Sequence, residues 1–129
     1  MADIKTIFTK NAPAPGGHYA QAIAHHHTIY ISGQLPIDPN GKKLTHATVE
    51  DQTRCVLNNI QSILKAAGSD LNRILQMTIY IADLEDWGKI NAVYADFFGE
   101  RKPARAIVPV TGLHYGLKLE IQAIAALWD

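Results

Sequence analysis

The sequence predicts an α+β fold, a mixed six-stranded sheet with two helices on one of its faces. Three observations carry this. Residues 48–68 and 83–99 repeat apolar side chains at helical spacing, and each stretch ends in glycine. The runs around them alternate in side-chain character as strands do, in the order strands, helix, strand, helix, two strands. Two helices cannot cover both faces of such a sheet, so one face is left for another surface.

Taken in order, Thr6-Ile7-Phe8 reads as a short first strand, and Asn11 to Gly17 as a loop denied regular structure by its prolines and glycines. His18 to Ala24 and Thr28 to Ser32 read as a hairpin joined at His25-His26-His27, although the usual turn glycine is missing. Asp38-Pro39-Asn40-Gly41 is a turn by its chemistry. Thr48 can cap the first helix, and Glu50 and Asp51 suit the positive end of its dipole. Val49, Val56, Leu57, Ile60, Ile63, Leu64 and Ala67 form its apolar stripe, and Gly68 ends it. Leu75, Met77, Ile79 and Ile81 then share one strand face. Asp83 opens a second helix with Trp87, Ile90, Tyr94, Phe97 and Phe98 as its stripe, and Gly99 and Pro103 close it.

The last two runs hold an arginine and a glutamate. Arg105 alternates with Ala104, Ala106 and Val108, and Glu120 with Leu119 and Ile121, so both stand opposite the cleaner apolar stripe of their strand. Joined as an antiparallel hairpin across Thr111 to Gly116, the strands would set Glu120 near Ile107 and diagonal to Arg105. A guanidinium and a carboxylate on one face can grip a small carboxylate while steering a water. Tyr30, Tyr80, Ile107 and Ile124 are left on the open face, which predicts an oligomer that buries it with Arg105 near a subunit boundary.

Composition narrows the function. A chain of 129 residues is expected to be one domain spanning 1–129, and its 47% apolar content favours a folded globule. Twelve basic residues balance 12 acidic ones without a basic stripe, which speaks against a nucleic-acid binder. Cys55 is the one cysteine, set in a helical pattern as a packed thiol, so no internal disulfide forms. Met-Ala-Asp-Ile-Lys-Thr opens the chain without an apolar run, and no stretch reaches membrane-spanning length; the expected location is the cytoplasm. His25-His26-His27 splay apart on a short connection and do not make a tetrahedral metal site, so no metal is expected.

Longer segments carry a resemblance along nearly the whole chain. They are Asn11-Ala-Pro-Ala-Pro-Gly-Gly-His-Tyr-Ala-Gln-Ala22, Ile31-Ser-Gly-Gln-Leu-Pro36, Gln52-Thr53 with Leu57-Asn58-Asn59-Ile60, and Ala66-Ala67-Gly68. Asn91-Ala-Val-Tyr94 with Phe97-Phe98, Pro103-Ala104-Arg105, and Glu120-Ile-Gln-Ala-Ile-Ala125 continue the series. In this order and spacing they resemble the Rid (YjgF) family of reactive-intermediate imine deaminases, in its arginine-containing branch.

The resemblance implies a chorismate-mutase-like fold and a homotrimer with the open sheet faces buried together and sites between subunits. It implies hydrolysis of 2-aminoacrylate and related 2-imino acids to 2-keto acids and ammonia, without a cofactor. By residue, it implies that Arg105 holds the substrate carboxylate and Glu120 positions the attacking water. Tyr19, Ser32, Gly33 and Asn91 would line the pocket, with a backbone contact at Ile107. Older family labels, endoribonuclease or translation inhibitor, and a non-enzymatic keto- or imino-acid binding module are the alternatives. The chain departs from the family pattern in three places. His18 follows Gly17 where Pro-Tyr is common, Ile107 replaces a frequent cysteine, and His114 stands where proline usually follows the leucine. The Ile107 change predicts a preference for bulkier apolar imines. From position alone, Arg105 paired with Glu100 or Asp96, and Glu120 with Lys118 or Arg105, remain the plainer readings.

Overall fold

The computed structural model describes residues 3–127. Its strands are β1 (Lys5–Ile7), β2 (Ala22–His25), β3 (Thr28–Gln34), β4 (Ile74–Ile81), β5 (Ala104–Pro109) and β6 (Leu119–Ala126). Its helices are α1 (Val49–Ala66) and α2 (Trp87–Phe98). All strands join one sheet in the order β1-β2-β3-β6-β4-β5, antiparallel except for the parallel β4–β5 pair. Both helices lie on one face, and the mixed six-stranded sheet with an open second face is as the sequence predicts.

α1 begins where Thr48 accepts a hydrogen bond from the Asp51 N–H at 3.1 Å, and Gly68 follows its end with φ of +81°. Val56, Leu57, Ile60, Ile63 and Leu64 are fully buried against Ile29, Met77, Ile79, Ile81, Leu119 and Ile121 of the sheet. Two polar residues of that buried stripe reach off the helix. Gln52 donates to the Ala47 carbonyl and accepts the Lys118 N–H, and Asn59 donates to the Ile37 carbonyl. They tie the helix to the loops that flank the site, and this satisfies groups whose burial unpaired would be costly.

The sequence reading is corrected at several places. β2 starts at Ala22 rather than His18, because Gln21 turns inward as a clamp: it accepts the Thr9 N–H and donates to the Thr9 and Pro13 carbonyls. The β2–β3 turn dispenses with glycine because His26 takes a φ of +56°. A bulge between Ile74 and Gln76 breaks the alternation of β4, so Ile74 is buried and Leu75 is exposed. Asp83 caps a 3-10 turn, Leu84–Asp86, that leads into α2.

The largest correction concerns the last two strands. β5 and β6 are not a hairpin, because β4 lies between them. The chain runs β4-α2-β5 as a parallel crossover and then returns to lay β6 on the other side of β4. In register, Arg105 and Ile107 of β5 align with Met77 and Ile79 of β4, which face the helices. Glu120 aligns with Tyr80 on the open face. Arg105 and Glu120 therefore lie on opposite faces of the sheet. Ile107 packs half-buried on the helix side rather than on the open face. Tyr30, Tyr80 and Ile124 do stand on the open face, where the Tyr80 hydroxyl donates to Gln122 Oε1 at 2.9 Å.

Candidate active site

The predicted site residues form two clusters. The first surrounds Glu120. Leu119 and Ile121 are fully buried toward the helices, so Glu120 between them points to the open face. Opposite it, β3 carries an extra residue between Ile31 and Gln34, a bulge that brings the Ser32-Gly33 backbone against the carboxylate. The approach is close: a Cβ added to Gly33 would stand 2.3 Å from Glu120 Oε2. Ser32 Oγ donates to the Ala20 carbonyl at 2.6 Å, so it fastens the N-terminal loop to the bulge. Tyr19 in that loop accepts the Gly16 N–H at its hydroxyl, 3.2 Å away.

Together Tyr19, Ser32, Gly33 and Glu120 line a cavity of about 720 Å³. Lys43, His114 and Tyr115, which the sequence reading did not place in the pocket, complete its wall. Burial raises the Glu120 carboxyl above the ordinary carboxylate range, and the nearby His114 partly offsets this. A carboxylate of raised proton affinity is a better base toward water.

The second cluster surrounds Arg105. Trp87, Asn91 and Tyr94 recur at helical spacing along α2 and meet the guanidinium from the helix side. Asn91 Oδ1 accepts from Arg105 Nη1 at 3.0 Å, and the Trp87 and Tyr94 rings lie 4.6 and 4.8 Å from the guanidinium carbon. Arg105 forms no ion pair among the described residues, so the partners Glu100 and Asp96 considered from sequence are not used. One of its five N–H donors is committed and the rest of the fork is open.

Asn91, Tyr94 and Arg105 line a second cavity, of about 440 Å³, with Arg101 and Lys102. Arg101 is spent on the Asn72 and Ile74 carbonyls, whereas the Arg105 guanidinium keeps an open edge beside this cavity. The Tyr94 hydroxyl is buried and, among the described residues, makes no hydrogen bond of normal geometry, with Arg105 as its polar neighbour. Its pKa is raised by that burial against the lowering effect of Arg105. Trp87 and Tyr94, members of the apolar stripe by spacing, also share the face of Asn91, and that spacing is the sequence signal for their contact with Arg105. Ile107 lines neither cavity.

No group of three or more His, Cys, Asp or Glu residues among the described residues is placed to hold a metal ion. No helix among them is long and apolar enough to cross a membrane.

Known proteins share this sequence pattern and this fold. Residues 9–127 match the family model described as Endoribonuclease L-PSP. A RutC family protein of Pyrococcus horikoshii is 48% identical over 121 residues, covering 94% of this chain and 96% of that protein. The mouse protein named 2-iminobutanoate/2-iminopropanoate deaminase is 42% identical over 121 residues, covering 94% of this chain and 90% of its own. The crystal structure of Escherichia coli TdcF with bound serine superposes with a TM-score of 0.91 at 40% identity, covering 96% of this chain and 99% of that one.

Proposed function

Because the chain belongs to the Rid family, whose Endoribonuclease L-PSP model it matches from residue 9 to residue 127, we propose that it hydrolyses reactive 2-imino acids to 2-keto acids and ammonia. The supporting observation is the separation of two prepared half-sites, an oriented guanidinium with an open fork and a half-buried carboxylate of raised proton affinity. Relatives named for the deamination of 2-iminobutanoate and 2-iminopropanoate, and a relative holding serine, give the substrate scale.

Arg105 binds the substrate carboxylate through a planar pair of N–H groups, held in aim by Asn91 and by the Trp87 and Tyr94 rings. Glu120 removes a proton from water as the oxygen adds to the imine carbon. The carbinolamine then loses ammonia. No cofactor is needed, since imines hydrolyse unaided and positioning with general-base help supplies the acceleration.

One copy presents Arg105 and Glu120 on opposite faces of its sheet, so the complete site is formed between copies, in a homotrimer whose open faces meet. Arg105 and Asn91 come from one subunit and Glu120, Gly33, Ser32 and Tyr19 from its neighbour. Ile107 then acts through its backbone, beside the substrate side chain.

The test is a coupled assay in which an amino-acid oxidase makes imine and semicarbazide competes for it. Wild type should suppress semicarbazone formation, and Arg105→Ala and Glu120→Ala should each abolish the effect. Mixed by co-expression in equal amounts, the two variants should regain about a quarter of the wild-type rate, as random assembly of a closed ring requires when the two residues come from different copies. No recovery in a verified mixed trimer would refute the shared site. No suppression by wild type with any imine would leave the cleft a binding module.

A further inference from the structure

We propose that His114 is the general acid of this reaction, delivering protons to the nitrogen that leaves as ammonia while Glu120 acts as base on oxygen. The proposal rests on the deaminase reading above. It is carried by the cavity itself: His114 and Glu120 reach the same chamber from two different elements, the 3-10 turn His114–Gly116 and β6.

The turn is held in place. Thr45 Oγ1 donates to the Tyr115 carbonyl at 3.1 Å, the Leu117 N–H donates to the His114 carbonyl at 3.1 Å, and Tyr115 sits at a φ of +62°. A non-glycine residue in that conformation is kept there by its surroundings. The other titratable groups facing the chamber are Lys43, Tyr19 and Tyr115. The Lys43 ammonium lies 4.6 Å from the centre of the Tyr115 ring, and the Tyr19 hydroxyl accepts the Gly16 N–H. Arg105 of a second copy would complete the charges around the substrate. Of these side chains His114 carries the imidazole, whose two ring nitrogens can give one proton and take another. The electrostatic influence of His114 on the Glu120 carboxyl is consistent with their proximity. Two titratable groups in one pocket, in unlike environments, divide acid and base work between them.

The proton count closes. Glu120 takes a proton from water as the C–O bond forms, and the C=N π pair moves to nitrogen, which takes a proton from the His114 imidazolium. Proton return from Glu120 to His114 resets the pair. In the second half His114 protonates the amine, Glu120 takes the hydroxyl proton, the C–N bond breaks and the carbonyl forms. A second return restores both groups. The sum is imine plus water to ketone plus ammonia.

The experiment compares kcat and its pH dependence for wild type, His114→Gln and His114→Pro in the semicarbazide assay. Proline fits the turn: Leu113 before it is extended (φ −127°, ψ 161°), and position 114 opens the 3-10 turn, where a missing N–H is tolerated. Both variants should keep KM close to wild type, because Arg105 is untouched. Each should lose kcat by about 10²-fold, the lower end of general acid–base help, and the shape of the pH profile should change with it. Variants with wild-type kcat and an unchanged profile overturn the assignment while the deaminase stands. A wild type inactive toward every imine overturns the deaminase reading and this one with it.

Discussion

Replacing Gly33 with alanine should separate activity from stability. Its backbone lies outside the left-handed region, so alanine fits the main chain. The new Cβ would stand 2.3 Å from Glu120 Oε2, 3.0 Å from Cδ and 3.2 Å from Cγ. Ordinary carbon contact begins near 3.4–3.5 Å, so the carboxylate must retreat by about 1 Å. The displaced atoms are the end of a flexible side chain. An off-rotamer glutamate costs roughly 0.5–1.5 kcal/mol, and removing a strand glycine returns roughly 0.5–1 kcal/mol of chain entropy. Stability should change by less than about 1 kcal/mol, a shift of a few degrees in Tm. Catalysis should suffer far more, since a misplacement of about 1 Å costs about 10²-fold. The semicarbazide assay gives kcat/KM, and a thermal melt of the same sample gives Tm. Adding Gly33→Ala to Glu120→Gln should cost nothing further, because the alanine acts through that carboxylate alone. A Gly33→Ala protein within twofold of wild-type kcat/KM would refute the claim that this contact places the base.

Three further predictions follow from burial. Burial raises the Glu120 pKa in the folded state, so its protonated form favours folding; that contribution is complete below the unfolded carboxyl pKa and is lost as pH rises through the folded value. Glu120→Gln should therefore melt above wild type at pH 7 and converge with it near pH 4, and equal melting temperatures at both would contradict the direction of the shift. Gln52→Ala strands the Ala47 carbonyl and the Lys118 N–H inside the fold. It should lower the urea midpoint by the equivalent of about 1–3 kcal/mol with an unchanged m value. The Cys55 thiol is pushed up to about 11 by burial and by Asp38, against a weaker opposing effect of Asn59. Only about one thiol in a thousand is then ionised at pH 8, so a disulfide reagent should label it slowly in the native protein and promptly in denaturant; fast native labelling would show the site to be open.

What was legible in the sequence follows the reach of local rules. The α1 stripe, its Thr48 cap and its Gly68 stop depend on neighbours within a turn, and they stand where their spacing put them. The resemblance implied one pocket for Tyr19, Ser32, Gly33, Asn91, Arg105 and Glu120; within one copy the structure sets Tyr19, Ser32 and Gly33 with Glu120 at a bulge and leaves Asn91 and Arg105 at a separate cavity. Strand partnership was not legible, because a loop such as Thr111 to Gly116 can close a hairpin or carry the chain past an intervening strand. Here two links at the end of β4 decide it: the Val110 N–H donates to the Ile81 carbonyl and the Ala82 N–H to that of Lys118. The extra residues at Ile74–Gln76 and Ile31–Gln34 were equally silent, since an alternation shifted by one is visible only against a partner strand.

The misplacement of Arg105 has a physical cause that also bears on mechanism. Alternation places a charged residue on the face opposite the apolar stripe, which holds for an inner strand with one face buried. β5 is an edge strand, and α2 covers its helix-facing side only in part. Arg105 can thus project to the same side as Ile107 and the core and remain exposed. There an amide fixes its plane and two rings hold it while the guanidinium stays exposed, as the carboxylate clamp proposed above would require. Glu120 has the opposite requirement. A base gains from partial removal of water, and the open face beside a bulge supplies it through the packed N-terminal loop. An exposed clamp and a half-dry base are hard to build side by side on one small sheet. In the assembly proposed above, the edge of one copy and the face of the next would meet both conditions, and activity would depend on assembly.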